Sequence, residues 1–332
     1  MQTNPEGQPV ADMICPACGS HDWKDTGQVK DYSISGEWFS LKECQNCHLK
    51  ATSPQPQDQD LGRYYASKDY ISHSDTKKGL INKLYHLARR YMLEKKHDVV
   101  TRAIRRDMGR LLDVGAGTGH FAHYMSEYHW DVIALEPDEN ARKVGAEKLE
   151  MEIHPLEVLG ELKEDSFDVI TLWHVLEHVQ DIGGYISHFR SLLHKDGVLI
   201  IAVPNHTSRD ANQYKTKWAA YDVPRHLWHF SPLSMEKILT KHGFELAQKL
   251  PMPLDAFYVS MLSEKYRGNN FLGPVFAFFS GVLTWIASMR NVDKKKIPPS
   301  LPKAGFQNIM KTLLLFHHFE INQQVTTKII FQ

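Results

Sequence analysis

The chain carries no excess of charge: 39 lysines and arginines balance 39 aspartates and glutamates over 332 residues. That composition argues against a protein that holds nucleic acid by bulk charge and leaves room only for a local patch. One patch exists, from Lys77 to Arg110, where basic residues far outnumber acids on a stretch with the helical spacing of Leu80, Leu84, Leu87 and Tyr91. It reads as a solvated helix face beside a core, or as a surface for an anionic substrate, a lipid headgroup or RNA. No apolar run precedes the first cysteine, so no secretory leader is expected and a cytoplasmic location follows. Long apolar runs are nearly absent as well. Residues 271–289 form the one extended charge-free stretch, barely long enough to cross a bilayer and interrupted by Pro274 and two glycines.

Cysteine is scarce, and its placement is informative. The four cysteines form two CxxC pairs, Cys15–Cys18 and Cys44–Cys47, with Gly19 and His48 following where such turns close. Four thiolates complete a tetrahedral Zn²⁺ shell with no open position, so the metal is expected to be structural. Residues 14–52 hold too few apolar side chains for a core of their own, and metal binding would supply folding energy that burial cannot. Two disulfides are the alternative, disfavoured without a secretory leader.

The most informative stretch is Arg110-Leu-Leu-Asp-Val-Gly-Ala-Gly-Thr-Gly-His120. A short apolar strand runs into Asp113 and then into glycines at 115, 117 and 119, where the missing Cβ atoms allow a sharp bend and close approach of a ligand. Residues 121–128 read as a helix whose N-terminal amides face the same place. The third glycine comes one residue too early for a dinucleotide fingerprint. Residues 131–136 read as a second strand ending in an acid, Glu136, placed to accept from ribose hydroxyls. Ser166–Leu172 and the segment up to Pro204 add two further buried-strand patterns.

In order and spacing, these four segments resemble class I S-adenosylmethionine-dependent methyltransferases over about residues 80–250. The resemblance implies a doubly wound (Rossmann-like) α/β sheet of seven strands and S-adenosylmethionine as methyl donor. It implies donor contacts at Asp113, Gly115, Ala116, Gly117, Gly119, Glu136, Pro137 and Trp173, with Glu157 a weaker candidate toward the adenine. The cysteine-bearing segment resembles the small zinc ribbon that precedes many bacterial methyltransferases, a module that docks on the catalytic domain or a partner. Val325–Phe331 is the only candidate for a closing strand.

Two histidine clusters are candidates for the chemistry. In Leu172–Val179, His174, Glu177 and His178 are expected to begin a helix and to share one side of it. His174 or His178 is then a general base. Alternatively, the trio resembles the ExxEH cation site of certain oxygen methyltransferases and holds Mg²⁺, although His174 replaces an oxygen ligand that Mg²⁺ prefers. In a third reading Glu177 and His178 merely brace the loop. In the second cluster, Trp218–Phe230, a lid over the acceptor is expected, with Arg225 gripping an anionic group and His226 approaching the donor; the alternative is a loop stapled by Arg225 to Asp222.

The expected organisation is a disordered tail at 1–13, the ribbon at 14–52, a linker arm at 53–76, the methyltransferase domain at 77–255 and an apolar helical extension at 256–332, with 271–289 packed on the domain, lying in a membrane interface or spanning a membrane. The expected reaction is methyl transfer to a hydroxyl or amine of a small sugar- or lipid-linked metabolite. RNA methylation and an inactive scaffold recruiting partners through the ribbon are the alternatives; nucleic acid is disfavoured by the neutral charge, and the scaffold by the intact glycine loop.

Overall fold

A computed structural model describes residues 13–65, 80–268 and 327–331. The alternating apolar segments fold into a parallel sheet in the order β5-β4-β6-β7-β10-β9. Its strands are β4 (Arg110–Val114), β5 (Asp131–Leu135), β6 (Phe167–Trp173), β7 (Leu193–Val203), β9 (Leu246–Pro251) and β10 (Thr327–Phe331). Every pairing in this sheet is parallel. Leu111, Leu112, Val169, Ile170 and Leu199 to Val203 are buried, as strands covered on both faces require.

Among the described residues the sheet has six strands where seven were expected. The closing candidate does become a strand, but it enters parallel between β7 and β9. The chain leaves β4 for β5 on one side and returns to β6 on the other. That reversal opens a crevice at the carboxyl ends of β4 and β6, the usual ligand position in an open α/β sheet.

Helices cover both faces. The long helix Leu80–Ile104 lays Met92, Val99, Val100 and Ala103 beside Phe121 and Met125 of the helix His120–Glu127. On the other face, Ile182–Leu192 and Pro232–Lys241 pack Ile182, Ile186, Phe189, Met235, Ile238 and Leu239 into one cluster. Ser231 starts the second of these with a reciprocal capping box through Ser234.

The N-terminal segment forms an antiparallel sheet of β1 (Trp23–Lys30), β2 (Trp38–Cys44) and β3 (Lys50–Ser53), completed by β8 (Trp228–His229). The fourth strand thus comes from the segment after β7. Cys15, Cys44, Cys47, Leu49 and Ala51 share a cluster with Leu176, Leu227, Trp228 and Phe230. Thr52 N donates to Leu227 O at 2.9 Å, Thr52 Oγ1 to His226 O at 2.6 Å and Ser231 Oγ to Cys47 O at 3.4 Å.

The expected open lid at 218–230 is therefore almost wholly buried. Arg225 is 1% exposed; its Nη2 donates to Asp31 Oδ1 at 3.0 Å and to Asp222 Oδ1 at 2.7 Å, and its Nη1 to Tyr64 O at 2.9 Å. The fork is fully engaged and cannot grip a substrate, which corrects that expectation in favour of the staple. The staple reaches beyond Asp222 into the N-terminal sheet.

Among the described residues no helix is long and apolar enough to cross a membrane. The run 271–289 and most of the expected extension lie outside the described residues, as do the tail at 1–12 and residues 66–79.

Arg225→Ala is expected to destabilise the protein by roughly 3–5 kcal/mol, because it leaves the buried Asp31 and the part-buried Asp222 without their cation. Arg225→Lys, which keeps the charge but loses the fork, should recover only part of that. Urea denaturation of the full chain measures both, and an unfolding midpoint for Arg225→Ala equal to the parent would refute the role assigned to this triad.

Candidate functional site

The crevice at the end of β4 is built by its glycines. Gly115, Gly117 and Gly119 have φ of +72°, +57° and +77°, a region that L-residues with side chains seldom enter. Gly115 N and Ala116 N both donate to Leu135 O, at 2.8 and 2.9 Å, tying the loop to the end of β5. The three glycines differ in what surrounds them. A Cβ on Gly115 would stand 2.4 Å from Val175 Cγ2, and one on Gly119 2.7 Å from Ile153 Cδ1, so both are needed for packing. A Cβ on Gly117 would meet nothing within 4 Å. Its open side leaves bare backbone with room beside it.

Glu136, at the carboxyl end of β5, closes the other side. Oε2 accepts from Gly117 N at 2.8 Å and Oε1 from Asp138 N at 3.0 Å, which fixes the carboxylate while leaving lone pairs for ribose hydroxyls. Pro137 O accepts from Arg142 Nη1 at 2.7 Å. Asp113 lies beneath the loop, 1% exposed, and accepts from Thr171 Oγ1 at 2.7 Å. Burial pushes its carboxyl up to about 7, against the opposing pull of Thr171 and Lys96. Trp173 ends β6, edge-on to Phe121 with ring centroids 5.4 Å apart. Its Nε1 is buried and has no partner. Glu157 is exposed on the turn Leu156–Glu161.

One contributor escaped the sequence reading. Lys96 Nζ sits 4.5 Å above the Trp173 ring and 5.6 Å from Phe121, near enough to Asp113 and Asp255 to feel both charges. Burial, partly countered by those carboxylates, lowers its pKa. The signal was available. With Met92, Val99, Val100 and Ala103, Lys96 falls on the apolar stripe of its helix, and a cation on a buried stripe faces something. Counting basic residues along the segment averaged that stripe with the solvated face.

The reaction-side cluster is arranged differently from the expectation. Leu176–His178 is a single 3₁₀ turn, so His174 and His178 do not share a helix face. His174, at φ +61°, lies between two carboxylates: Nδ1 is 3.3 Å from Glu177 Oε1 and Nε2 3.3 Å from Asp255 Oδ2. Burial disfavours its charge, but the hydrogen bonds from Asp255 and Glu177 outweigh burial and hold the imidazole up at about 9. An imidazole held between two carboxylates favours its protonated form, which weighs against His174 as a general base.

His178 faces the other way. Its Nδ1 donates to Arg225 O at 2.9 Å and lies 3.2 Å from the Tyr65 hydroxyl. Burial, then the nearby His226, pushes its pKa down to about 4. His226, 9% exposed, donates from Nδ1 to Ala220 O at 2.9 Å, and the two rings meet edge to face at 4.7 Å. The trio brought together is therefore Glu177, His178 and His226, not His174, Glu177 and His178. Nothing in the sequence joined residue 226 to 178, because the turn at 222–226 that aims it is set by the Arg225 triad.

With this geometry in place, comparison with known proteins is decisive for the family. A family model described as a methyltransferase domain matches residues 85–249. These residues are a class I S-adenosylmethionine-dependent methyltransferase domain. The domain is similar to ubiquinone biosynthesis O-methyltransferases from Rhodopseudomonas palustris strain TIE-1, 26% identical over 147 residues covering 40% of this chain and 56% of the relative, and from Pelagibacter ubique, 26% identical over 174 residues covering 48% and 70%. The chain spans a little over half the length of the R. palustris relatives. A solved SAM-dependent methyltransferase from Archaeoglobus fulgidus is 20% identical, with 54% of this chain and 88% of that chain covered and a TM-score of 0.39.

Beside the methyltransferase domain, the four cysteines converge. Cys15 and Cys47 sulfurs are 3.5 Å apart, as are those of Cys18 and Cys44, and all four lie within 4.8 Å of one another. Zn–S bonds of about 2.3 Å at tetrahedral angles separate sulfurs by roughly 3.8 Å, so the cluster fits Zn²⁺. A disulfide needs about 2.05 Å, and all four cysteines are free thiols. Gly19 N donates to Cys15 O at 2.8 Å and His48 N to Cys44 O at 2.9 Å, closing the two knuckles.

Two outcomes are expected. Purified protein should hold one zinc in this cluster, and the double variant Cys44→Ser, Cys47→Ser should lose it by metal analysis; retention of that zinc would refute the ligand set. For His174, the folded pKa of about 9 lies above the unfolded value of ~6.5. Its stabilisation is thus complete below pH ~6.5 and is lost as pH rises through about 9. His174→Gln should flatten the decline in stability across that window, read by denaturation at stepped pH, and an unchanged decline would remove His174 as its cause.

Proposed function

We propose that the protein transfers the methyl group of S-adenosylmethionine to a hydroxyl of a small-molecule acceptor. The observation that carries this reading is the open side of Gly117 facing a Glu136 carboxylate already oriented by backbone amides, with Trp173 and the histidine cluster at the adjoining strand end. Asp113, Gly115, Ala116, Gly117, Gly119, Glu136, Pro137 and Trp173 would hold the donor, Glu136 by the ribose. The bound sulfonium supplies an already activated methyl group. The protein's own task is then chiefly to position the acceptor in line and exclude water, with deprotonation adding a factor of about 10² to 10⁴.

The O-methyltransferase relatives favour oxygen over nitrogen as the accepting atom, and a lipid-linked hydroxyl metabolite over a sugar. In this reading His178 and His226 would meet that oxygen; each has Nδ1 tied to a backbone carbonyl, which supports a role for Nε2. RNA as the acceptor loses support: Lys96 of the basic segment turns inward over Trp173, and the charge of the whole chain is balanced. An inactive scaffold would have no need for an intact cradle at Gly117.

Isothermal titration calorimetry tests the donor site. Gly117→Val fills the open side of the cradle, and Glu136→Ala removes the ribose acceptor. Loss of charged hydrogen bonds of ~1.5–3 kcal/mol predicts donor binding weakened about 10- to 100-fold in Glu136→Ala. Parent affinity in both variants would sink the donor-site assignment.

A further inference from the structure

The imidazole of His178 has two bearing points, and both come from outside its own turn. Nδ1 lies 2.9 Å from Arg225 O and 3.2 Å from the Tyr65 hydroxyl. A carbonyl oxygen only accepts, so Nδ1 carries the hydrogen and Nε2 the lone pair. The carbonyl by itself would satisfy that N–H. What the hydroxyl adds is aim. The torsion that turns an imidazole is broad, so the ring is directed only as well as its hydrogen bonds direct it. With two oxygens set against one N–H, a half-turn of the ring would place a C–H against both. The two rings are tilted at 49° with centroids 6.5 Å apart, at the far end of the range for aromatic pairs, so the hydroxyl rather than the face of Tyr65 is the working contact.

Tyr65 lies outside the methyltransferase match at 85–249, on the arm that follows the cysteine-bearing sheet, and its mount is rigid. The residue before it is the anchor. Tyr64 is 2% exposed; its hydroxyl donates to Glu37 Oε2 at 2.7 Å, its ring stands edge-on to Phe39 of β2 at 5.9 Å, and its carbonyl accepts from Arg225 Nη1 at 2.9 Å. Tyr65 N donates back to Gly62 O at 3.2 Å and closes the turn. Farther up the arm, Gln55 Nε2 donates to Leu227 O at 3.1 Å. Arg225 therefore holds the arm with its guanidinium and His178 with its carbonyl. Both sides of the Tyr65–His178 contact are referred to one residue, and little conformational freedom remains to be lost when they work together.

We propose that Tyr65 is a positioning residue for methyl transfer, and that the cysteine-bearing sheet belongs to the reaction machinery as the mount of the side chain that aims His178. The effect on transfer rests on the methyltransferase reading, whereas the aiming of the ring does not. Tyr65 acts on the rate rather than on the donor: the residues assigned to the donor lie on the glycine loop and at the ends of β5 and β6, while Tyr65 touches the turn after β6. A reacting group displaced by ~1 Å can cost about 10²-fold in rate. Whatever folds that sheet, the four-cysteine site included, then acts on transfer from a distance.

The test compares Tyr65→Phe and Tyr65→Ala with the parent as full chains, each checked for folding by circular dichroism and for metal content. Three quantities are read: the ring-nitrogen NMR signals of His178 in isotope-labelled protein, identified by their loss in His178→Gln; donor affinity by calorimetry; and, at saturating donor, the rate at which tritiated methyl passes from S-adenosylmethionine into a solvent extract of bacterial small molecules. Tyr65→Phe is expected to shift the Nδ1 signal, keep donor affinity within about twofold and lower transfer about 10-fold, and Tyr65→Ala about 100-fold. Should Tyr65→Ala fail to fold, Tyr65→Phe decides. Transfer at the parent rate, or an unmoved Nδ1 signal, overturns the proposal. So does donor affinity that falls in step with transfer, since that marks a general loss of structure. A shifted Nδ1 signal in a protein whose parent transfers no methyl would overturn the methyltransferase reading and leave Tyr65 as the residue that aims His178.

Discussion

The buried triad of Asp31, Arg225 and Asp222 is the constraint on which the rest of the arrangement depends. A guanidinium taken out of water is tolerable only when its fork is fully paired, and this one is shared between the N-terminal sheet and the segment after β7. From that anchor the chain runs straight into function. Residue 226 contributes an imidazole beside Glu177 and His178, Leu227 N donates to Glu177 O at 2.8 Å, and Trp228 and His229 become the fourth strand of the cysteine-bearing sheet. Five consecutive residues, Arg225 to His229, therefore serve three structures at once.

Glu177 organises the chemistry in a comparable way. One oxygen meets the His174 imidazole, held toward its charged form, while burial pushes the neighbouring His178 the other way. The division has a simple origin. His174 has a carboxylate at each ring nitrogen, whereas His178 has a carbonyl oxygen, which orients a ring without holding a proton on it as strongly.

How much of this was legible in the sequence follows from the range over which each feature is determined. The glycine loop, Glu136 and the cysteine pairs are local: a strand, a bend and an acid at the next strand end, or two knuckles with fixed spacing, carry their meaning within a few residues. The grouping of histidines is not legible locally, because the chain makes one 3₁₀ turn at 176–178 where the sequence predicts a helix, and because the partner of His178 lies 48 positions away, brought in by the triad. The sequence leaves Arg225 open between a substrate clamp and a staple to Asp222, because its second carboxylate, Asp31, stands 194 positions earlier. Lys96 was lost by averaging a helix over its two faces.

The position of β10 has a consequence for how the molecule is made. β7 and β9 are not neighbours; on their facing sides each pairs with a strand that the chain reaches after residues 252–326. Until that strand arrives, two unpaired edges face a slot one strand wide, and an open edge recruits any extended segment within reach. Closing so distant a pairing is slow, since loop entropy must be overcome before the new hydrogen bonds form. Newly synthesised chains should therefore pass through a stage with an unfilled slot in the sheet, a stage in which they are exposed to aggregation and are clients for chaperones that shield strand edges.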